Sequence, residues 1–215
     1  KVIAYTPDEV SYERQLQLFE TQTEWFWIVD GDEIYPKTLI KEIFRIHEKS
    51  HNKIEGIVVG RYDLLGDIYH YQDDSAGYYD LFGKRGHFAL RLINKELIEG
   101  LHVSGIYPNE GYYDQNNIEL IHHEKNLFTF TNNKLFHAMY LKRSSKGANL
   151  GSVIHRSKYK FENGNSIPIN EISEVLFNGK PENIPDVTQK RSMIYNLISE
   201  ALTPFKKLKR KVISP

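Results

Sequence analysis

The stretch WFWIVDGDEIYP, residues 25–36, decides how the chain is read. Five apolar residues, Trp25 to Val29, run straight into Asp30, Asp32 and Glu33, with Gly31 among the carboxylates. A continuous apolar run of this kind is the pattern of a parallel strand buried on both faces. A strand that ends in carboxylates carries them to its C-terminal edge, where open α/β sheets bind their ligands. One residue separates Asp30 from Asp32, so a tight turn can aim both at a single point, with Gly31 relaxing the backbone there.

Working outward, Lys1–Tyr5 (KVIAY) reads as a short strand. Thr6, Pro7 and Glu9 then form a helix start, in which Thr6 caps, Pro7 takes the first helical position and Glu9 completes a capping box. Tyr12, Leu16 and Phe19 share one face of that helix. Pro36 opens a second helix with Leu39, Ile43 and Ile46 on one face, and Ile54 to Val59 is a further strand. Strand, helix, strand, helix, strand predicts an α/β layered domain. Arg61 to Gly86 breaks the pattern with Gly, Asp and Tyr and reads as a long loop. Strands are expected again at His87–Ile93 and Ile118–His122. A second region begins near Ser144, which divides the chain into a domain over residues 1–145 and an extension over 146–215. The extension holds loops with Pro168, Pro181 and Pro185, then a final helix with Ile194, Leu197, Ile198 and Ala201 on one face, interrupted at Pro204.

Composition narrows the function classes. The chain has 215 residues and no cysteine, so disulfides, thiol nucleophiles and zinc–thiolate sites are excluded. Lys plus Arg and Asp plus Glu are equal at 28 each, so no global charge points to nucleic acid. The 14 tyrosines suit sugar or nucleotide contacts, and equally suit an ordinary core. No run of about 20 apolar residues is present. The tail FKKLKRKVI sets Phe205, Leu208 and Val212 against five basic residues between Lys206 and Lys211. Such a tail either lies on an anionic membrane surface through residues 205–212 or packs on the domain by its apolar side.

The carboxylates have two readings. Hard oxygen ligands at a strand end suit Mg²⁺ or Mn²⁺, which keep positions open for water and substrate phosphates. Alternatively, acids decorate the N-terminus of the next helix, where the dipole favours them. The second reading suits Glu33, which belongs to the turn and the start of that helix. It suits Asp30 and Asp32 less, because it crowds like charges at the end of a buried strand. An EF-hand is a poor fit, because Ile34 and Tyr35 take the fifth and sixth loop positions, where Asp or Asn and then Gly are needed. A competing motif, His47-Glu48-Lys49-Ser50-His51, matches the H-E-x-x-H zinc signature. It occupies the last turn of the second helix, where positive groups have a plainer explanation in the macrodipole. His122-His123-Glu124 reads as surface at a strand end.

WFWIVDGDE resembles the strand and Asp-x-Asp motif of family 2 glycosyltransferases with the GT-A fold. Arg14 and Gln15 ahead of TQTEW resemble the usual lead-in to that motif. LHVSGIYPNEGYYD and LFHAMYLKRSS resemble later acceptor-side and metal-side segments, so the likeness spans roughly residues 1 to 145. It implies a GT-A-like (Rossmann-like) mixed, mainly parallel sheet flanked by helices, with a C-terminal helical extension. It also implies an earlier strand–loop unit with an Asp that grips base and ribose, expected upstream of Lys1. The implied activity is metal-dependent transfer of a sugar from a nucleotide-sugar donor to a saccharide or lipid-linked acceptor, with inversion, as in cell envelope polysaccharide assembly. Asp30, Asp32 and His137 would hold Mg²⁺ or Mn²⁺, and Lys142 and Arg143 would contact phosphate. Glu110 would act as base, with Asp114 next and Asp73 and Asp74 as further candidates. His102 would touch the acceptor, and Arg91 matches an arginine of open role. The implied location is cytoplasmic, at the inner face of the membrane. The rivals are a non-catalytic binding module of the same fold and a zinc hydrolase built on residues 47–51.

Overall fold

The computed structural model describes residues 7–50, 53–77, 79–106, 109–141, 160–178 and 186–213. The expected strand at Lys1–Tyr5, the Thr6 cap, His51, Lys142 and Arg143 lie outside the described residues.

The architecture is mixed α/β with a C-terminal helix. The helices are α1 (Pro7–Glu20), α2 (Lys37–Ser50) and α3 (Met193–Ile213). The strands are β1 (Trp25–Trp27), β2 (Glu33–Ile34), β3 (Gly56–Leu65), β4 (His70–Tyr71), β5 (Tyr79–Leu81) and β6 (Lys84–Gly86). They continue as β7 (Phe88–Asn94), β8 (His102–Ser104), β9 (Gly111–Tyr113), β10 (Phe128–Tyr140) and β11 (Asn165–Ser166). The main sheet runs in the order β1-β7-β3-β10-β2, with β4 on β3 and β11 on β4. β5–β6 and β8–β9 form separate antiparallel ribbons.

The expected mainly parallel sheet is corrected. Among the described residues only β3 and β10 pair in parallel, whereas β1–β7, β7–β3, β10–β2, β3–β4 and β4–β11 are antiparallel. Of the apolar run at Trp25–Val29 only Trp25–Trp27 is strand and Val29 is exposed, so the run reported burial as far as Ile28, and not direction. Phe26 and Ile28 enter one core cluster with Leu18, Val58, Ile93 and Leu120. Trp25 and Trp27 pack on the other face against Leu39, Ile43 and Ile57. Both faces are therefore covered, although the neighbour, β7, runs the opposite way. The expected loop at 61–86 instead holds the end of β3, then β4 and the β5–β6 hairpin, so about half of it is strand. Such a local return allows antiparallel pairing without a crossover helix.

α2 begins directly after Pro36, and Leu39 and Ile43, one turn apart, are fully buried against β3 and β10. Each such aliphatic side chain contributes about 1.5–3 kcal/mol by its removal from water. Glu42 is buried on the same helix, and its carboxylate accepts from the backbone and side-chain nitrogens of Asn132 and Asn133 at 2.7–2.9 Å. Those two residues lie where β10 slips register against β3, between Phe130 and Lys134. Glu42 thereby satisfies backbone donors that the ladder leaves over.

α1 turns a different face inward from the expected one. Tyr12 and Phe19 are exposed, and Leu18 is buried. The Ser11 hydroxyl donates to the Gly105 carbonyl at 2.7 Å, and the Gln15 side chain accepts from Val103 N at 2.7 Å. These polar anchors to β8 and its turn fix the rotation of the helix. The expected strand at Ile118–His122 is a bridge at Glu119 followed by a short 3-10 turn at Leu120–His122. β11 pairs β4, and Ile167, Ile172 and Leu176 share a core with Leu64, Ile68 and Phe136. α3 continues through Pro204 rather than stopping there.

Candidate functional site: a carboxylate–imidazole–guanidinium cluster

The site is built where β1 ends. Past Trp27 the chain turns through Asp30 to Asp32 and enters β2, which pairs with β10 so that Glu33 lies opposite His137. His137 in turn lies opposite Asp63 of β3. Register alone thus brings together residues from three distant segments.

His137 is clamped between two carboxylates. Its Nδ1 lies 2.8 Å from Asp63 Oδ1, and its Nε2 lies 3.5 Å from Asp32 Oδ1. Burial disfavours the imidazolium, but Asp32 and Asp63 outweigh it and push the His137 pKa up to about 9. Asp63 is itself buried. His87 Nδ1 lies 2.9 Å from its other oxygen, and Arg61 Nε approaches at 3.4 Å. Burial works against its charge, but His137, His87 and Arg61 hold the Asp63 carboxyl well below the usual carboxylate range. A carboxylate behind one ring nitrogen fixes the tautomer and orientation of the imidazole, as it does for metal-bound histidines.

Asp30 faces elsewhere. Its Oδ1 is 3.1 Å from Arg14 and its Oδ2 is 2.8 Å from Arg91. Arg91 also pairs with Glu33, whose other oxygen accepts from the Tyr35 hydroxyl at 3.1 Å. Glu33 is therefore not an acid decorating a helix start. Its side chain is fully buried, it belongs to β2, and the first turn of α2 carries no acid. A buried carboxylate needs a partner, and Arg91 is that partner.

Arg14 links the cluster to Glu110. Its Nε lies 3.3 Å from Glu110 Oε1, while Glu110 Oε2 is buried with no hydrogen-bond partner. A cleft of about 340 Å³ opens here, lined by Val10, Arg14, Asp30, Gly31 and Tyr112 among others. Gly31 does not take a positive φ, and a Cβ built there would meet nothing within 4 Å. Gly31 was expected to relax the backbone of the turn, but its conformation is open to any residue; Gly31 and Asp30 both line the cleft, which a side chain at position 31 would narrow.

The remaining sequence candidates have other contacts. Asp114 Oδ1 accepts from Asn116 N and Ile118 N at 2.9 and 2.8 Å, which holds its own turn together. Asp73 caps a short 3-10 turn through Ser75 N, and Asp74 pairs with Lys134. His102 Nδ1 lies 2.9 Å from the Gly100 carbonyl. His123 is mostly buried rather than on the surface, with Nδ1 2.6 Å from Glu55. His47 packs edge-on to Trp25, with ring centroids 5.4 Å apart.

Of the expected metal set, then, Asp32 and His137 meet and Asp30 is drawn to arginines. Among the described residues no group of three or more His, Asp or Glu side chains is placed to hold a metal ion. Sequence reasoning assigned no role to Asp63, His87 or Arg14. Asp63 sits in what read as a loop, and it is buried in series with Leu64 and Leu65 at the end of β3, so no alternation marked it. No protein-family model matches the chain, and no curated protein and no solved structure matches it either.

Proposed function

We propose that the chain is a GT-A-like, metal-dependent glycosyltransferase that uses a nucleotide-sugar donor and a saccharide or lipid-linked acceptor. The observation that carries the reading is the Asp32–His137 pair, 3.5 Å apart at the end of the WFWIV strand, with Asp63 backing the imidazole at 2.8 Å. One carboxylate and one oriented imidazole suit a cation such as Mn²⁺ or Mg²⁺ that displaces the proton His137 otherwise holds at Nε2 and completes its shell with water and substrate phosphates. When bound, the ion would neutralise charge on the departing diphosphate.

The side chains supply the rest. Asp63 holds His137 with Nε2 toward Asp32. Asp30 holds Arg14 and Arg91 side by side; Arg91 is buried, and Arg14, which lines the cleft, is the one whose remaining donors can meet anionic oxygen there. Glu110 is the base: Arg14 takes one oxygen, and the other, buried and unpartnered as the side chain stands, takes the proton of an attacking acceptor hydroxyl once a rotation of the side chain brings it to the cleft. Asp114 is not carried forward as base, because its carboxylate secures the turn at 114–118.

A second reading is a binding module without turnover. It is favoured by Asp30, both of whose oxygens face guanidinium groups rather than His137. Turnover decides between them. Incubation with Mn²⁺, a panel of nucleotide sugars and simple saccharide acceptors should release nucleoside diphosphate. Glu110→Gln should abolish release and preserve donor binding. Donor binding with no release from any pair would favour the module.

A further inference from the structure

We infer that α3 is a docking helix for an anionic lipid surface, lying along it and not crossing it. The inference is independent of the proposed chemistry. α3 packs on the protein by its polar side. Tyr195, Ser199 and Thr203 are buried, and the Thr203 hydroxyl accepts from Asn163 N at 2.9 Å. Arg210 makes a two-pronged contact with Glu162 at 2.6 and 2.8 Å, and Lys206 donates to the Phe161 carbonyl at 2.8 Å. At 100° per residue, Ile194, Leu197, Phe205, Leu208 and Val212 fall on the opposite side. All five are exposed, Phe205 at 72% and Val212 at 73%. This reverses the usual arrangement, in which the apolar stripe of a surface helix faces the core. A continuous exposed apolar ridge marks an interaction surface.

The charge pattern selects the occupant. Lys207 and Lys211 flank the ridge on one side and Lys209 on the other, and no acid follows Glu200. Lysines beside an apolar ridge can insert their stems and keep their ammonium groups at the level of anionic headgroups. A second copy seated on this face would bring the basic end of each helix against a surface with little compensating acid. At about 1.5 Å per residue the helix is long enough to span a bilayer core, but it is lined with lysines. No described helix is both long and apolar enough to cross a membrane.

The test is flotation of the full chain with vesicles of phosphatidylcholine alone or mixed with phosphatidylglycerol. The expected result is flotation with the mixed vesicles only, reversed by salt. The double substitution F205E with L208E should abolish flotation and leave circular dichroism and melting unchanged, because neither side chain packs on the domain. Replacing Lys207, Lys209 and Lys211 with Gln should remove the preference for anionic lipid. Equal flotation with both vesicle types, or flotation that survives F205E with L208E, would overturn the inference. So would a lipid-free dimer that this double variant dissolves without any vesicle binding, because a second copy would then own the face.

Discussion

His137 and Asp63 lie side by side on the parallel pair β10 and β3, Nδ1 to Oδ1 at 2.8 Å, which commits the other ring nitrogen to Asp32. This contact makes Asp63 a positioning residue for any ligand held at Nε2. Asp63→Asn keeps the shape but not the charge. It should weaken Mn²⁺ binding about 10- to 100-fold, as for other carboxylates behind metal-bound histidines. Titration calorimetry measures the affinity. A protein that melts lower but binds Mn²⁺ unchanged would assign Asp63 a purely structural role.

Gly31 offers a sharper separation of fold from function. Its backbone suits any residue and the space around it is open, so Gly31→Ala should leave the melting temperature unchanged or slightly raised. The same methyl group stands at the approach to Asp30 and should weaken binding of a nucleoside diphosphate. Loss of stability with intact binding would show that the turn, not the cleft, needs glycine.

Glu42 is a structural carboxylate with a pH signature. Burial opposes its charge, but the nitrogens of Asn132 and Asn133 outweigh it and hold its pKa below the ordinary value. A depressed carboxyl stabilises the fold above its unfolded pKa, and that contribution is lost as pH falls through the folded value. Glu42→Ala leaves the donors at the β10 slip without an acceptor and should cost about 2–4 kcal/mol near neutral pH. Urea melts at pH 7 and at acid pH should show the gap between wild type and variant closing in acid.

Lys160 should act in the alkaline range. Burial pushes it down to about 8 from 10.5, against the opposing pull of Glu162. Between those values the unfolded chain binds more protons than the folded one, so stability rises with pH across that window. Lys160→Met should flatten the rise. Parallel stability curves for the two proteins would contradict this placement of Lys160.

The helices were the most legible part of the chain. Pro7 and Pro36 mark the starts of α1 and α2, and Leu39 and Ile43 announce the buried face. Strand direction was not legible, because the apolar run at Trp25–Ile28 records two covered faces and nothing of the partner's polarity. Periodicity likewise says that residues share a face but not which way the face turns. Tyr12 and Phe19 on α1, and Phe205 and Leu208 on α3, were read correctly as clustered yet stand exposed. In each case polar contacts fix the rotation: Ser11 and Gln15 to β8 and its turn, Arg210 to Glu162. At the candidate site, Asp32 and His137 were named from motif resemblance and do meet. Asp63 and the burial of Glu33 depend on sheet register, and Arg14 on the rotation of α1, neither of which a local pattern encodes.

We propose that Asp32 and His137 form the protein's half of a cation–diphosphate site. Its most direct test is electron paramagnetic resonance of Mn²⁺ titrated into the chain with a nucleoside diphosphate present. The expected result is stoichiometric loss of the free Mn²⁺ signal in wild type, abolished in both Asp32→Asn and His137→Ala. Retention of the free signal in wild type, or the same binding in wild type and both variants, would contradict it.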